Sequence, residues 1–310
     1  MSVGELPYLD RARIGSLVTM SDAVTALRQA FTLGVSHPPR TAIEVDGADL
    51  LVMPAAAGSA AGVKLIMVQP ANASRGEPVI QGMYVLFDAA HGRPVALLDG
   101  GALTALRTPA ISALTTAALA PEPCTGTIVV GGGPQGIGHL IAMRAVLPAL
   151  QRQVLVTRSG DVSTPVDADV EVRAIGDLPR LMAEMAGDGL VINACTSSVT
   201  PVLLGAEVPD GVHVNLVGSY RAGVREADGA LIERASVYVD DRAAARHEAG
   251  DLIGAANEGW DWSTVLGDLT DLASGRARRT DAAEVTLFKS VGLAIEDLVI
   301  ARLAFTRAGL

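Results

Sequence analysis

Two cations stand where cations are seldom found. Lys64 lies inside the apolar run Val63-Lys-Leu-Ile-Met-Val68, and Arg107 lies inside Ala105-Leu-Arg-Thr-Pro-Ala-Ile111; charged side chains rarely occupy such stretches without a partner or a ligand. Arg40, after the His37-Pro-Pro turn, is a third candidate in the same half of the chain. Three converging cations make a pocket for a carboxylate, because a guanidinium grips two oxygens at once. A lysine between two arginines has its charged form disfavoured by like charge, which suits it to exchange a proton near neutrality. Plainer readings stand beside these: strand alternation could turn Lys64 to solvent, Arg107 could bridge to an acidic surface residue, and isolated loop arginines such as Arg40 are common.

The second constellation is Gly131-Gly-Gly-Pro134-Gln135-Gly136, set between the strand-like Thr127-Ile-Val-Val130 and a helical stretch from Ile137 to Leu150. This is the context a dinucleotide fingerprint requires. Gly131 permits the tight turn, Gly133 lets the backbone approach a pyrophosphate, and Gly136 lets the helix pack on the strand, with N–H groups of the helix start meeting the phosphates. The bland alternative is a glycine-rich turn without a ligand. At the end of the next strand, Val154 to Thr157, the chain reads Arg158-Ser159-Gly160, where NAD enzymes usually place a carboxylate. Arginine with neighbouring hydroxyls suits a 2′-phosphate, so NADPH is favoured with NADH as the alternative; Asp161 could still reach a ribose, and Arg158 could be a solvated loop residue. Thr108, Thr196, Val217, Lys289 and Ser290 complete the cofactor-side candidates.

Elements must position these residues. Beyond about residue 125, β-branched runs at 127–130, 154–157, 190–194, 212–217 and 236–240 alternate with helical stretches at 137–150, 178–186 and 241–252. That pattern predicts a doubly wound parallel sheet of Rossmann type. The first 115 or so residues differ: helices are expected at Met20 to Gly34 and Leu103 to Leu119. Between them, antiparallel strands are expected at 41–45, 49–53, 62–68, 81–87 and 93–98, separated by Gly, Pro, Asn and Asp turns. A mostly apolar tail helix, Ser290 to Arg307, carries Glu296, Asp297, Arg302 and Arg307, and is expected to pack back on the first domain. The predicted division is 1–117 with 288–310 for a discontinuous α+β substrate and dimerisation domain, and 118–287 for the Rossmann dinucleotide-binding domain.

Composition narrows the partners. The chain has 310 residues, a net charge of −10 and only 3% aromatic residues. An acidic surface repels polyanions and few rings are available for stacking, which argues against nucleic acid and anionic membrane. The apolar stretches are interrupted well before the roughly 18 residues a membrane span needs. Two distant cysteines, Cys124 and Cys195, and no basic-plus-apolar leader fit a reducing cytoplasm. The five histidines show no ligand spacing, so no metal is expected, and no Gly-x-Ser-x-Gly elbow is present. Cys195, at a strand end, reads as a small buried filler.

Taken in order, Gly62-Val-Lys64, Arg75-Gly-x-Pro78, Leu98-Asp-Gly-x-x-Leu-Thr-Ala-Leu-Arg-Thr108, Gly131-x-Gly-x-Gln135-Gly and Thr286-Leu-Phe-Lys-Ser-Val-Gly292 resemble the ornithine cyclodeaminase and mu-crystallin family over nearly the whole chain. The resemblance implies a homodimer whose discontinuous domain supplies the substrate pocket and the dimer surface. It implies that Arg40, Lys64 and Arg107 hold the substrate carboxylate or lie beside the reacting nitrogen, with Met53-Pro54 part of the match, and that Thr286 to Gly292 crosses near the nicotinamide. The family spans a lyase that cyclises ornithine, alanine and opine-type dehydrogenases, and reductases of cyclic ketimines. Here Val214-Asn-Leu-Val-Gly218 continues with Ser219-Tyr220 rather than the cyclodeaminase Gly-Asp, and Leu51 stands where those enzymes carry a glutamate. Without either carboxylate a diamino substrate lacks a counter-ion. The expectation is therefore an NAD(P)H-dependent reductase of small cyclic ketimine carboxylates, with Tyr220 at the substrate. The alternatives are an alanine or N-alkyl amino-acid dehydrogenase acting on a keto acid, then ornithine cyclodeaminase, then a non-catalytic mu-crystallin-like binding protein.

Overall fold

The computed structural model describes residues 6–33 and 37–310. The chain splits into two compact units, Met1–Arg107 with Leu293–Leu310, and Thr108–Gly292. The first split falls inside a helix, between Arg107 and Thr108, rather than at residue 117 as composition suggested.

The first unit opens with β1 (Tyr8–Leu9), α1 (Arg11–Leu17) and α2 (Met20–Thr32). Asp10 caps α1, and Thr19 with Asp22 closes a capping box on α2, satisfying N–H groups that a helix start leaves unpaired. Gly34, the expected end of that helix, lies outside the described residues. There follow β2 (Thr41–Val45), β3 (Ala48–Ala57), β4 (Ala60–Val68), β5 (Ile80–Asp88), β6 (Arg93–Asp99) and α3 (Gly100–Leu119). The sheet order is β1-β6-β5-β4-β3-β2, an antiparallel meander from β2 to β6 with β1 added in parallel at the edge. Side chains alternate across it. On β4, Ala60, Gly62, Lys64, Ile66 and Val68 share the buried face, so Lys64 points inward rather than to solvent.

The second unit runs β7 (Gly126–Val130), α4 (Pro134–Val146), β8 (Arg152–Thr157), β9 (Val170–Ala174), α5 (Leu178–Met185), β10 (Leu190–Ala194), β11 (His213–Leu216), α6 (Gly229–Arg234), β12 (Ala235–Val239), α7 (Arg242–Glu248), α8 (Gly250–Asn257), α9 (Leu269–Ala273) and β13 (Val285–Lys289). Its sheet order is β12-β13-β11-β10-β7-β8-β9, and every pair is parallel. The central strands are buried on both faces, and the polar residues they carry, Asn193, His213 and Asn215, are buried in one hydrogen-bonded set. This is the doubly wound sheet the alternation predicted.

Departures have local causes. The helix after the glycine turn starts at Pro134, where a missing N–H costs nothing, and stops before Pro148, which holds Leu147 extended. The stretch 241–252 breaks into α7 and α8 at Gly250, which packs against the carbonyls of Arg221 and Val224 where a Cβ has no room. The chain then re-enters the first unit as α10 (Ala294–Arg307), which lies on β3, β4, β5 and α2. This last helix starts four residues later than expected, because Asp240 draws the N–H groups of Val291 and Gly292 and the Ser290 hydroxyl out of any helical pattern.

Candidate functional site

The chemistry of the first unit gathers on the inner face of its sheet. Met53, Lys64 and Tyr84 are direct neighbours across β3, β4 and β5, one row on one face, and all three are wholly buried. The α3 helix brings Thr104 and Arg107, and α10 brings Glu296 and Asp297. The Lys64 ammonium lies 2.7 Å from Asp297 Oδ2 and donates to Thr104 Oγ1 at 3.2 Å. Arg107 Nη1 meets Glu296 Oε2 at 2.6 Å, and its Nε lies 3.8 Å from Asp297 Oδ1. Cations and carboxylates thus alternate as Glu296, Arg107, Asp297, Lys64. Buried ions are tolerated only when paired this way.

Two expectations change here. Arg107 does bridge to an acid, but a buried one on α10 rather than one on the surface. The Lys64 amine is lowered to about 8, and burial, not the neighbouring arginines, is the largest cause; Asp297 pulls it back up, while Arg107 and then Arg40 push it down. Arg40, half-buried before β2, is therefore within the field of the lysine. Tyr84, absent from the sequence-level candidates, has a hydroxyl that finds no hydrogen-bond partner among the described residues and fills the space a side chain on Gly62 would need. Burial and the Asp297 charge push its phenol well up, so it stays a neutral O–H.

Glu296 and Asp297 were read as polar marks on a helix, and both are wholly buried. The signal was present: two adjacent acids between Ile295 and Leu298 in an otherwise apolar helix are the counter-charges that two cations in apolar runs demand.

The second unit carries the glycine turn. Gly131 has φ +118, and a Cβ there would strike the Cys195 carbonyl; one on Gly136 would strike the Gly131 carbonyl. Around Gly133 the space is open, and this residue caps α4 without a side-chain hydrogen bond. Helix-start N–H groups free of a side-chain cap, beside an open cradle, fit a pyrophosphate. Pro134 is the first helical residue, and Gln135 follows it half-buried. Arg158 and Ser159 are exposed just beyond β8, with the turn held by the Gly160 N–H on Thr157 Oγ1.

At the far ends of β10 and β11 a buried carboxylate organises the backbone. Glu226 accepts from the N–H and hydroxyl of Thr196 at 2.7 and 2.9 Å and from the Gly218 N–H at 2.6 Å. Burial raises its carboxyl to about 7, opposed first by Lys289. The Lys289 ammonium is buried too, 2.8 Å from Asp251 and 2.8 Å from the Ser219 carbonyl. Lys289, Ser290 and Thr196 therefore have protein partners that hold strand-end loops, and Val217 continues β11 through its N–H on the Ala194 carbonyl. Thr108 is buried on α3, and Tyr220 is half-buried under the Arg221 guanidinium, 5.7 Å from its ring centre. Burial pushes the Cys195 thiol well up, as a filler role requires.

Comparison with known proteins places this arrangement. A Delta(1)-pyrroline-2-carboxylate reductase of Paracoccus denitrificans is 34% identical over 294 residues, covering 90% of each chain. The solved structure of Thermococcus litoralis Delta(1)-pyrroline-2-carboxylate reductase in complex with NADH and L-proline matches with a TM-score of 0.84 at 27% identity, over 98% of this chain and 97% of that one. An archaeal alanine dehydrogenase dimer with bound NAD matches with a TM-score of 0.83 at 25% identity, over 98% and 96%. The family model matches residues 8–309, from the first strand to the penultimate residue of the tail. A strand-borne lysine, a helix-borne arginine and a dinucleotide turn, in one order along a match of that length, mean that the chain belongs to the ornithine cyclodeaminase/mu-crystallin family.

Proposed function

We propose that the chain is an NAD(P)H-dependent reductase of small cyclic ketimine carboxylates, converting pyrroline-2-carboxylate or piperideine-2-carboxylate to proline or pipecolate. The observation that carries this reading is the Lys64 ammonium, a transferable proton held in a buried site beside two guanidiniums. Lys64 pairs with Asp297 and Arg107 with Glu296, and Arg40 adds a third positive charge to the field at the lysine, a setting that suits an anionic substrate. Arg40 and Arg107 supply the field that orients the substrate carboxylate. Lys64 gives its proton to the imine nitrogen and then regains one from solvent; a nicotinamide whose pyrophosphate is held at the Gly131–Gly136 turn would supply the hydride that, with this proton, turns C=N into CH–NH. Met53 and Tyr84 wall the lysine on either side and keep water from its stem.

NADPH is the favoured donor, because Arg158 and Ser159 stand beyond β8 where a ribose-binding carboxylate is otherwise expected. The apolar outer face of the first unit supports a homodimer. The reading is tested by following NADPH and NADH oxidation with pyrroline-2-carboxylate, with piperideine-2-carboxylate, with pyruvate plus ammonia or methylamine, and by assaying ornithine for ammonia release. Turnover of the cyclic imines is expected. Turnover confined to the keto acid with an amine would replace this reading with an amino-acid dehydrogenase, and ammonia from ornithine would restore the lyase.

A further inference from the structure

Of 24 basic residues only two are lysines, Lys64 and Lys289, and 22 are arginines. Both lysines are wholly buried and both face an aspartate. A chain that uses arginine for every other cation retains the one side chain of the pair that can lose its proton near neutrality. At Lys289 the ammonium also bonds a main-chain carbonyl, which locks a loop. At Lys64 the geometry is different. An ammonium has three N–H donors; here Thr104, whose own hydroxyl proton is given to the Gly100 carbonyl, accepts one of them, and Asp297 stands 2.7 Å away as the ion-pair partner.

We propose that Asp297 and Thr104 are positioning residues for the proton donor, Asp297 anchoring the Lys64 ammonium as its ion-pair partner and Thr104 accepting one of its N–H groups, so that the ammonium is turned to give a remaining proton to the substrate nitrogen. Asp297 also supplies the charge that keeps the amine protonated. The groups around the ammonium come from five elements. Tyr84 on β5 contributes a neutral hydroxyl, Met53 on β3 is apolar, and Arg107 on α3 and Arg40 before β2 both oppose the proton. Of the two acids on α10, Glu296 is engaged with Arg107. Asp297 is the acid at ion-pair distance from the lysine, and its charge opposes the effect of burial. Without its charge the amine loses its proton at lower pH, while Thr104 governs direction rather than charge.

The inference rests on the imine-reductase reading for its substrate but not for the lysine's protonation, and the two are separable. With only two lysines, protein labelled with 13C at lysine Cε gives two signals, assigned by Lys64→Arg. Titration of the full chain, together with kcat/KM against pH for the cyclic imine, tests Asp297→Asn, Asp297→Glu and Thr104→Val. Asp297→Asn is expected to move the Lys64 titration, and the alkaline limb of kcat/KM, down by about one pH unit or more, the size an opposite charge at this distance produces. Asp297→Glu restores the titration but not the full kcat, and remains informative where the asparagine variant does not fold. Thr104→Val is expected to cut kcat roughly tenfold with KM and the titration little changed. An unmoved Lys64 titration in Asp297→Asn, or an equal rate loss at every pH, overturns the proposal. A wild-type protein inert toward every cyclic imine, yet with a Lys64 signal that moves in Asp297→Asn, removes the substrate reading and upholds the hold of Asp297 on the lysine.

Discussion

Charge and transferable proton are separable at Lys64, and the separation decides how its role is tested. Truncation to alanine strands the Asp297 carboxylate in a buried site, a change that costs roughly 3–5 kcal/mol when one member of a buried pair is removed, so loss of activity there would be ambiguous. Lys64→Arg keeps the positive charge opposite Asp297 but offers no proton at neutral pH. The expected outcome is a folded protein that binds NADPH with near-native affinity and reduces the imine at least 100-fold more slowly, read by fluorescence titration and by steady-state rates; turnover within a few-fold of wild type would remove Lys64 as donor. That lysine and Arg107 were legible in sequence because a cation in an apolar run is an anomaly. Asp297 and Glu296 leave a fainter signal, two adjacent acids in an otherwise apolar helix, which resembles a solvated face until the helix is seen to lie on the sheet. Tyr84 was hidden for a different reason: its position opposite Lys64 depends on the register between β4 and β5, and an aromatic in a strand is ordinary.

Element by element, the second unit was the more readable. Its central strands are buried on both faces and so are written as short runs rich in Val, Ile and Leu, with the glycine turn marking where the first one ends. The strands that escaped notice are the ones with least apolar signal: β1 has two residues, and the edge strand β9 alternates Val170 and Val172 with Glu171 and Arg173. The glycine-turn helix also contains a group whose burial has a consequence for stability. His139 on α4 is wholly buried, its Nδ1–H donating to the Gln135 carbonyl at 2.7 Å while Nε2 accepts from the Ser112 hydroxyl at 2.8 Å. A carbonyl only accepts, so Nδ1 carries a proton, and burial favours the neutral ring in which Nε2 accepts from the Ser112 hydroxyl. Burial lowers the imidazole from 6.5 to about 4. Because the folded value lies below the unfolded one, the unfolded chain binds the extra proton first on acidification. The native state is unaffected above about pH 6.5 and loses stability as pH falls from there toward 4, by up to about 3 kcal/mol from this residue. Glu226, raised to about 7, adds stability as pH falls through part of the same window, so the His139 contribution is read as a difference: thermal unfolding at pH 7.5, 6 and 5 should show wild type losing stability relative to His139→Gln as pH falls, and a difference that does not change with pH would assign no titration to His139.

On the scale of the whole molecule, the sheet of the first unit has two faces with opposite assignments. One residue from Met53, Lys64 and Tyr84, and pointing the other way, Val52, Leu65 and Met83 are themselves cross-strand neighbours. Leu65 and Met83 are 39% and 40% exposed, and Ile43 and Val45 on β2 are 47% and 46% exposed. Met67, Val85 and Phe87 extend this face with further apolar side chains, half-buried. An apolar surface of this kind on a chain of net charge −10 suits an interface, and the homodimer proposed above would bring two such faces together in a self-complementary two-fold contact. Because inner and outer rows alternate along the same strands, pairing of two sheets would also restrain the strand that carries Lys64. Leu65→Glu puts a charge, and by symmetry two like charges, at the centre of that contact without touching the inner face. The expected outcome is a monomer by sedimentation equilibrium at micromolar concentration, still able to bind NADPH, with kcat for the cyclic imine lowered about tenfold or more as β4 loses its restraint. A variant that remains dimeric would move the interface elsewhere, and a monomer with undiminished kcat would show that the inner row holds Lys64 in place without help from a second copy.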